Sequence, residues 1–304
     1  MHKIPLEALP IRTQTAIGPP PHIYSSASHL AQLLQDRICI CIVGSRRPTE
    51  YGKRVTNELV QALADLPCTI ISGLAYGIDS YALQAAVDAQ IPTIGVPGSG
   101  VKSTVIYPRA SAPLAQSIID RGGALVTQFE PDAQSQPWMF PVRNKLMAAL
   151  CHAVVIIEAD HKSGSLITAF HALEFNRDIF AVPGSIFSPL SYGTHNLIKH
   201  GATPITSIET LRTYILEHPC LKQKNIHRKV SNSTSTQSTD PLNIAIVNVL
   251  KNGPASLNSV MQTLEQQKFW AEHDIYETLL NLELKGIITL NAGQYELART
   301  PLSN

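Results

Sequence analysis

Between Ile38 and Glu217 the chain alternates short apolar runs with amphipathic stretches. The runs read CICIVG, CTIIS, PTIGV, GALVTQ, AVVIIEA and DIFAVPG, each the length of one strand. Helical spacing of apolar residues fills the intervals at about residues 51–65, 79–90, 113–121, 144–150 and 166–176. Near-continuous apolar strands separated by helices bury both faces only in a parallel sheet with helices on each side. The expected fold is α/β, a doubly wound, mostly parallel sheet. Its ligands belong in the loops beyond the carboxyl ends of the strands.

The flanks differ in composition. Residues 1–37 hold a triple proline ahead of His22 and one short amphipathic run, SHLAQLLQD, which predicts an extended arm with one short helix. Residues 218–240 include KQKNIHRKVSNSTSTQSTD, polar and Ser/Thr-rich, which predicts a flexible linker. From residue 241 to 304, three helical segments (LNIAIVNVLKN, SLNSVMQTLEQ, IYETLLNLELKGII) precede two short strands around an Asn-Ala-Gly turn, the pattern of a small winged-helix domain. Its expected recognition helix carries Glu277 and Glu283 against Lys285, so it is not expected to be the main grip on a phosphate chain.

Lys and Arg number 24 against 23 Asp and Glu, so a nucleic-acid partner would have to be held by a local patch rather than a global field. A hydrophobic fraction of 44% excludes disorder over most of the chain. No apolar run approaches the roughly 20 residues of a membrane helix. Glu7 and prolines interrupt the N-terminus where a signal peptide would be apolar, so no membrane contact and a cytoplasmic address are expected. Five cysteines without a CxxC pair argue against a disulfide framework or a structural zinc, and Cys39 and Cys41 read as core.

The loops are more informative. The first strand ends in VGSRRPTEYGKR, placing Gly44 and Ser45 at a strand-to-helix turn whose amides attract anions, with Arg46, Arg47, Lys53 and Arg54 around it. The second ends in SGLAYGID, where Gly73 and Gly77 permit close backbone approach and Asp79 is placed to cap the next helix. PGSGVKS follows the third strand. DHKSGSLITA follows the fifth, with Ser163, Gly164 and Ser165 opening a helix. In WMFPVRNKLMAAL, Arg143, Asn144 and Lys145 stand at an expected helix start, where cations oppose the dipole unless an anion offsets them. Tyr76, Trp138 and Phe140 either offer stacking faces or pack as ordinary loop aromatics. Taken singly, each loop is equally a tight turn among solvated side chains; several after successive strands point to a polyphosphate or nucleic-acid backbone.

Catalytic signals are sparse. GxxxxGK[ST], HExxH and GxSxG do not occur, and the eleven histidines lack ligand spacing, so no enzyme activity, metal or cofactor is expected. Glu158 and Asp160 follow a central strand, where a cap and a solvated acid are the ordinary reading.

In order, GSR, SGLAYGID, FPVRNK, SGSLITA, FAVPG and GTHNLIKHGA resemble the DNA-processing family DprA, also called Smf, over about Pro20 to Ile208. The resemblance implies a Rossmann-like domain that binds single-stranded DNA. It also implies protection of incoming strands, loading of the recombinase RecA during natural transformation, and a homodimer formed through the α/β domain. Carried over by motif, the family's DNA pocket falls on Ser45 and Arg46, Gly73 and Gly77, Asn144 and Lys145, and Ser163 to Ser165. Two motifs depart: Ala82 and Leu83 stand where the family usually has Ala-His, and Thr127 and Gln128 where it has Ser-Glu. The N-terminal helical domain of many members is not expected here. The alternative is an enzyme similar to the LOG-type nucleoside-monophosphate phosphoribohydrolases. It would need PGGxGTxxE, whereas PGSG at 97–100 and VPGS at 182–185 lack the following Thr and Glu.

Overall fold

The computed structural model describes residues 1–16, 22–35, 37–221, 241–251, 253–265, 275, 278–279, 281–283, 287–291 and 293–297. The first unit spans residues 1–228 and the second 229–304. In chain order the first contains β1 (His2–Pro5), α1 (Ile11–Ala16), β2 (His22–Ser25), α2 (Leu30–Leu34), β3 (Ile38–Val43), α3 (Glu50–Gln61), β4 (Cys68–Ser72) and α4 (Ile78–Asp88). Then follow β5 (Thr93–Gly95), α5 (Ala112–Asp120), β6 (Ala124–Thr127), α6 (Met139–Leu150), β7 (Ala153–Ile156), α7 (Ser165–Glu174), β8 (Asp178–Ala181), α8 (Tyr192–Lys199), β9 (Thr203–Pro204) and α9 (Ile208–Glu217).

All these strands join one sheet in the order β1-β2-β6-β5-β4-β3-β7-β8-β9. From β6 to β9 every pairing is parallel, and the six apolar runs of the sequence are β3 to β8. Strand alternation divides the core. Ile38, Ile40 and Ile42 turn to one face, where Leu59, Val60, Ala82, Leu211 and Ile215 of α3, α4 and α9 cover them. Cys39, Cys41 and Val43 turn to the other, under Leu33, Met147, Leu150 and Ala169 of α2, α6 and α7.

The N-terminal segment is not an arm. β1 pairs antiparallel with β2, and β2 with the outer edge of β6. Ile23 is fully buried, with Ile4 packed against the same core. Pairing covers an otherwise open sheet edge, a tertiary gain that a four-residue run with little alternation does not advertise. β9 was also unanticipated: it is two residues long and ends in a proline that has no N–H to donate.

In the second unit, helices Pro241–Lys251 and Leu257–Glu265 pack with an antiparallel sheet of Ala255–Ser256, Gln294–Leu297 and Ile288–Asn291, in that spatial order. Ile246, Val260, Leu264, Ile275 and Ile288 form its core. Most of the expected linker, residues 222–240, lies outside the described residues, as do Glu277 and Lys285. No helix among the described residues is long and apolar enough to cross a membrane.

Candidate nucleic-acid interface

The chain builds the sheet outward from β3 through β4 and β5 to β6, then returns to the other side of β3 for β7 and β8. That reversal leaves a crevice between the loops that follow β3 and β7, where ligands of doubly wound sheets bind. A cleft of about 770 Å³ lies there. Of the expected residues, Ser45, Arg46, Arg47, Arg143, Asn144, Ser163, Gly164 and Ser165 line it. Lys53, Gly73, Tyr76, Gly77 and Lys145 do not.

Helix α6 begins at Met139, not near Asn144, so Arg143 and Lys145 sit beyond its first turn and the dipole argument does not apply to them. Arg143 is only 4% exposed. Its Nη1 donates to the carbonyls of Gly73 and Val96, and its Nε to Asn144 Oδ1 at 2.9 Å. Asn144 Nδ2 donates to Gly164 O at 3.1 Å. The two neighbours thus tie the ends of β4 and β5 to the start of α7. Lys145 extends the other way, its Nζ 5.9 Å from the centre of the Phe175 ring.

Asp79 is not the cap of α4; Gly77 holds that position with φ 78°. The Asp79 carboxylate accepts from Gly73 N at 3.1 Å and is 5% exposed. Burial pushes its carboxyl above the usual range, against the opposing pull of Arg143 and the amides of Ala75 and Gly73. Burial likewise lowers the Arg143 pKa, and Asp79 counters it. A side chain on Gly73 would strike both groups. One on Gly77 would strike the Ser45 carbonyl and the Arg46 backbone, where Ile78 N donates to Ser45 O at 3.1 Å. These glycines close the loops on each other beneath the cleft.

The start of α3 is not an open anion site. Thr49 caps it, accepting from Gly52 N, while Glu158 Oε1 and Oε2 accept from Thr49 Oγ1 at 2.5 Å and Thr49 N at 2.9 Å. The protein's own carboxylate, 5% exposed, fills that place. A Cβ on Gly52 would collide with it. PGSG is also withdrawn: residues 97–100 are buried, Gly98 lies against the Phe140 ring, and Gly100 against the Glu130–Pro131 backbone. Lys53 is paired with Glu50 at 2.6 Å, and Tyr76 is exposed outside the cleft.

What stays open is the Arg46–Arg47 segment, with the hydroxyls at the start of α7 also in the cleft wall. Arg46 Cζ lies 5.6 Å from the Phe140 ring centre and Arg143 Cζ 6.0 Å from the same ring, so two cations share one aromatic. Among the described residues no carboxylate pairs with Arg46 or Arg47 within 4.0 Å. Asp160, at the cleft wall, accepts from Lys162 N at 2.7 Å. At α7, Gly164 stands at the cap, and the first-turn amides are taken: Ser165 N donates to Ser163 Oγ at 3.4 Å, Leu166 N to Ser163 O at 3.1 Å and Ile167 N to Gly164 O at 3.2 Å. Ser163 and Ser165 hydroxyls lie 2.8 Å apart. Thr168 Oγ1, in the cleft wall and fully buried, has no partner among the described residues. The cleft therefore presents the Arg46 and Arg47 cations and the Ser163 and Ser165 hydroxyls to an anionic ligand.

The model of the family described as DNA recombination-mediator protein A matches residues 6–215. The chain belongs to this family. DNA processing protein DprA of Bacillus subtilis is 39% identical over 196 residues, 64% of this chain and 65% of that protein. Protein Smf of Escherichia coli is 42% identical over 172 residues, 57% of this chain and 46% of that protein. The chain thus spans less than two thirds of the length of these curated relatives. Among solved structures, DNA processing protein A of Helicobacter pylori aligns with a TM-score of 0.63 at 30% identity, covering 71% of this chain and 97% of that one. That structure is described as giving insight into the single-stranded DNA binding mode of the H. pylori protein.

In this member of the recombination-mediator family, both motif departures fall on scaffold. Leu83 is buried in a satellite core with Leu74 and Val87. Thr127 Oγ1 donates to Ser99 O at 2.8 Å and accepts from Phe129 N at 3.2 Å, fastening β6 to the PGSG turn. Sequence reasoning missed Asp79 as the buried counter-charge of Arg143, because an acid at a helix start reads first as a cap. It also missed Thr168, one turn into α7, where the recurrence of Ser163, Ser165 and Thr168 on the helix's opening turns was the available signal.

Proposed function

We propose that this protein binds single-stranded DNA through its phosphates in the cleft at the β3/β7 switch point. One observation carries the reading: Arg46, exposed in the cleft lining over the Phe140 ring, has no carboxylate paired to it among the described residues, and the Ser163 and Ser165 hydroxyls line the same cleft. Asp79 already offsets the buried Arg143, so Arg46 is the cation left for a phosphate to offset. Turns and a concave cleft suit the backbone of one strand and carry little base readout. The H. pylori relative's single-stranded DNA mode agrees with this ligand.

The finer role follows the family resemblance: protection of incoming strands and their transfer to RecA in natural transformation, by a homodimer. The C-terminal unit, read as a winged helix, is a tethered accessory. A binding protein rather than an enzyme fits Glu158, whose two oxygens are both engaged by Thr49.

Fluorescence anisotropy with labelled single-stranded and duplex DNA of one length, at several salt concentrations, tests the proposal. Single strands should bind tighter, with a log-log salt slope of about −0.7 per phosphate contact. Equal competition by duplex, or indifference to salt, would refute it.

A further inference from the structure

Outside the cleft, one group of side chains is exposed at a cost and has no part in the phosphate site. Trp138 is 61% exposed and Tyr107 48% exposed, although burial of an aromatic of this size is among the larger gains in folding. Both adjoin the cleft. Tyr107 packs edge-on against Phe140, ring centres 6.0 Å apart, and Phe140 is the ring under Arg46. Trp138 follows Pro137, a lining residue, and meets Phe129 edge-on at 5.5 Å. The loops after β5 and β6 therefore carry an aromatic ledge continuous with the cation-lined wall.

We infer that this ledge stacks the unpaired bases of the strand whose phosphates occupy the cleft, with Trp138 and Tyr107 as the contacting faces. The inference rests on the proposed single-strand binding. Three features favour bases over other occupants. Aromatic faces beside a cationic groove are the arrangement by which proteins hold single strands without reading sequence. Of the acids in the loop between β6 and Trp138, Asp132 is paired with Lys102 at 3.2 Å, while Glu130 accepts from Tyr24 Oη at 2.8 Å and has no cation paired to it among the described residues, so Glu130 disfavours a phosphate on this loop. Edge-on packing against Phe129 and Phe140 fixes the ring planes in advance, so little side-chain freedom is lost on stacking.

The test compares an oligothymidylate with an abasic strand of the same length and phosphate count, using the full chain and its Trp138→Ala, Trp138→Phe and Tyr107→Leu variants. The native protein should prefer the strand with bases. Trp138→Ala should weaken that strand about fivefold to 150-fold, from the usual worth of one stacked base, while leaving the abasic strand unchanged. Trp138→Phe should retain most of the preference. Tyr107→Leu, at a second exposed position, should reduce it independently. Equal binding of both strands by the native protein, or equal weakening of both by Trp138→Ala, overturns the ledge and leaves the phosphate site standing. Binding of neither strand overturns the phosphate site and the ledge with it.

Discussion

Replacing Arg143 by Met tests whether this arginine is scaffold rather than a DNA contact. The substitution keeps an unbranched apolar stem but removes the donor to the Gly73 and Val96 carbonyls. Each buried carbonyl left unpaired costs about 1–3 kcal/mol, so about 2–6 kcal/mol in all. Against whole-domain stabilities of about 5–15 kcal/mol this is a large fraction. Asp79, 5% exposed, loses its compensating charge at the same time. Burial raises its folded-state pKa above the unfolded value of about 3.9. In that window the folded state binds more protons than the unfolded one, so lowering the pH favours folding. Urea unfolding followed by circular dichroism should therefore show Arg143→Met with a much lower midpoint at pH 7 and a smaller deficit at pH 5. The double variant Arg143→Met with Asp79→Asn should recover part of the loss and abolish the extra pH dependence, with a coupling of about 0.5–3 kcal/mol. A single variant with the native midpoint, or one whose deficit neither pH nor Asp79→Asn alters, would refute the scaffold reasoning.

Arg46→Ala should show the opposite profile, with a midpoint near native because Arg46 is exposed, but single-strand affinity lower by about 1.5–3 kcal/mol and a salt slope smaller by about 0.7, both read by anisotropy. Unchanged affinity would remove Arg46 from the interface. His152 is buried and accepts from Cys39 N at 2.8 Å, and burial pushes its pKa down to about 3. The unfolded state then binds the extra proton between about pH 6.5 and 3, so stability falls as pH drops through that window, by up to about 1.4 kcal/mol per pH unit. His152→Gln should flatten the slope of urea midpoint against pH, and an unaltered slope would place the titration elsewhere. Ending the chain after Thr239 should leave single-strand affinity within a few-fold, since the removed segment carries more acids than bases; loss of most of the affinity in a folded product, measured by the same anisotropy, would make the C-terminal unit a DNA reader.

Local sequence determined the strands β3 to β8 and the helices between them, because near-continuous runs such as ICICIV and AVVI bury on both faces only inside a parallel sheet. It also pointed to the loops that line the cleft, because the switch-point rule depends on strand direction, which the alternation already implies. Order of motifs, more than any one of them, carried the family. What each polar group does was decided by tertiary structure. Arg143 and Asp79, near expected helix starts, and Glu158, just after a strand, all read in sequence as ordinary loop charges, yet each is buried and engaged by partners that are distant in sequence or set by the fold. Glu158 reaches Thr49 across 109 positions and Arg143 reaches Gly73 across 70. Desolvation and a counter-charge turn such residues into scaffold, while Arg46, left without a carboxylate partner among the described residues, is free for a ligand. Likewise β1 and β2 exist as strands because β6 offers an edge to pair with. Four residues hold too little local preference to specify a strand, and only the assembled sheet supplies the rest.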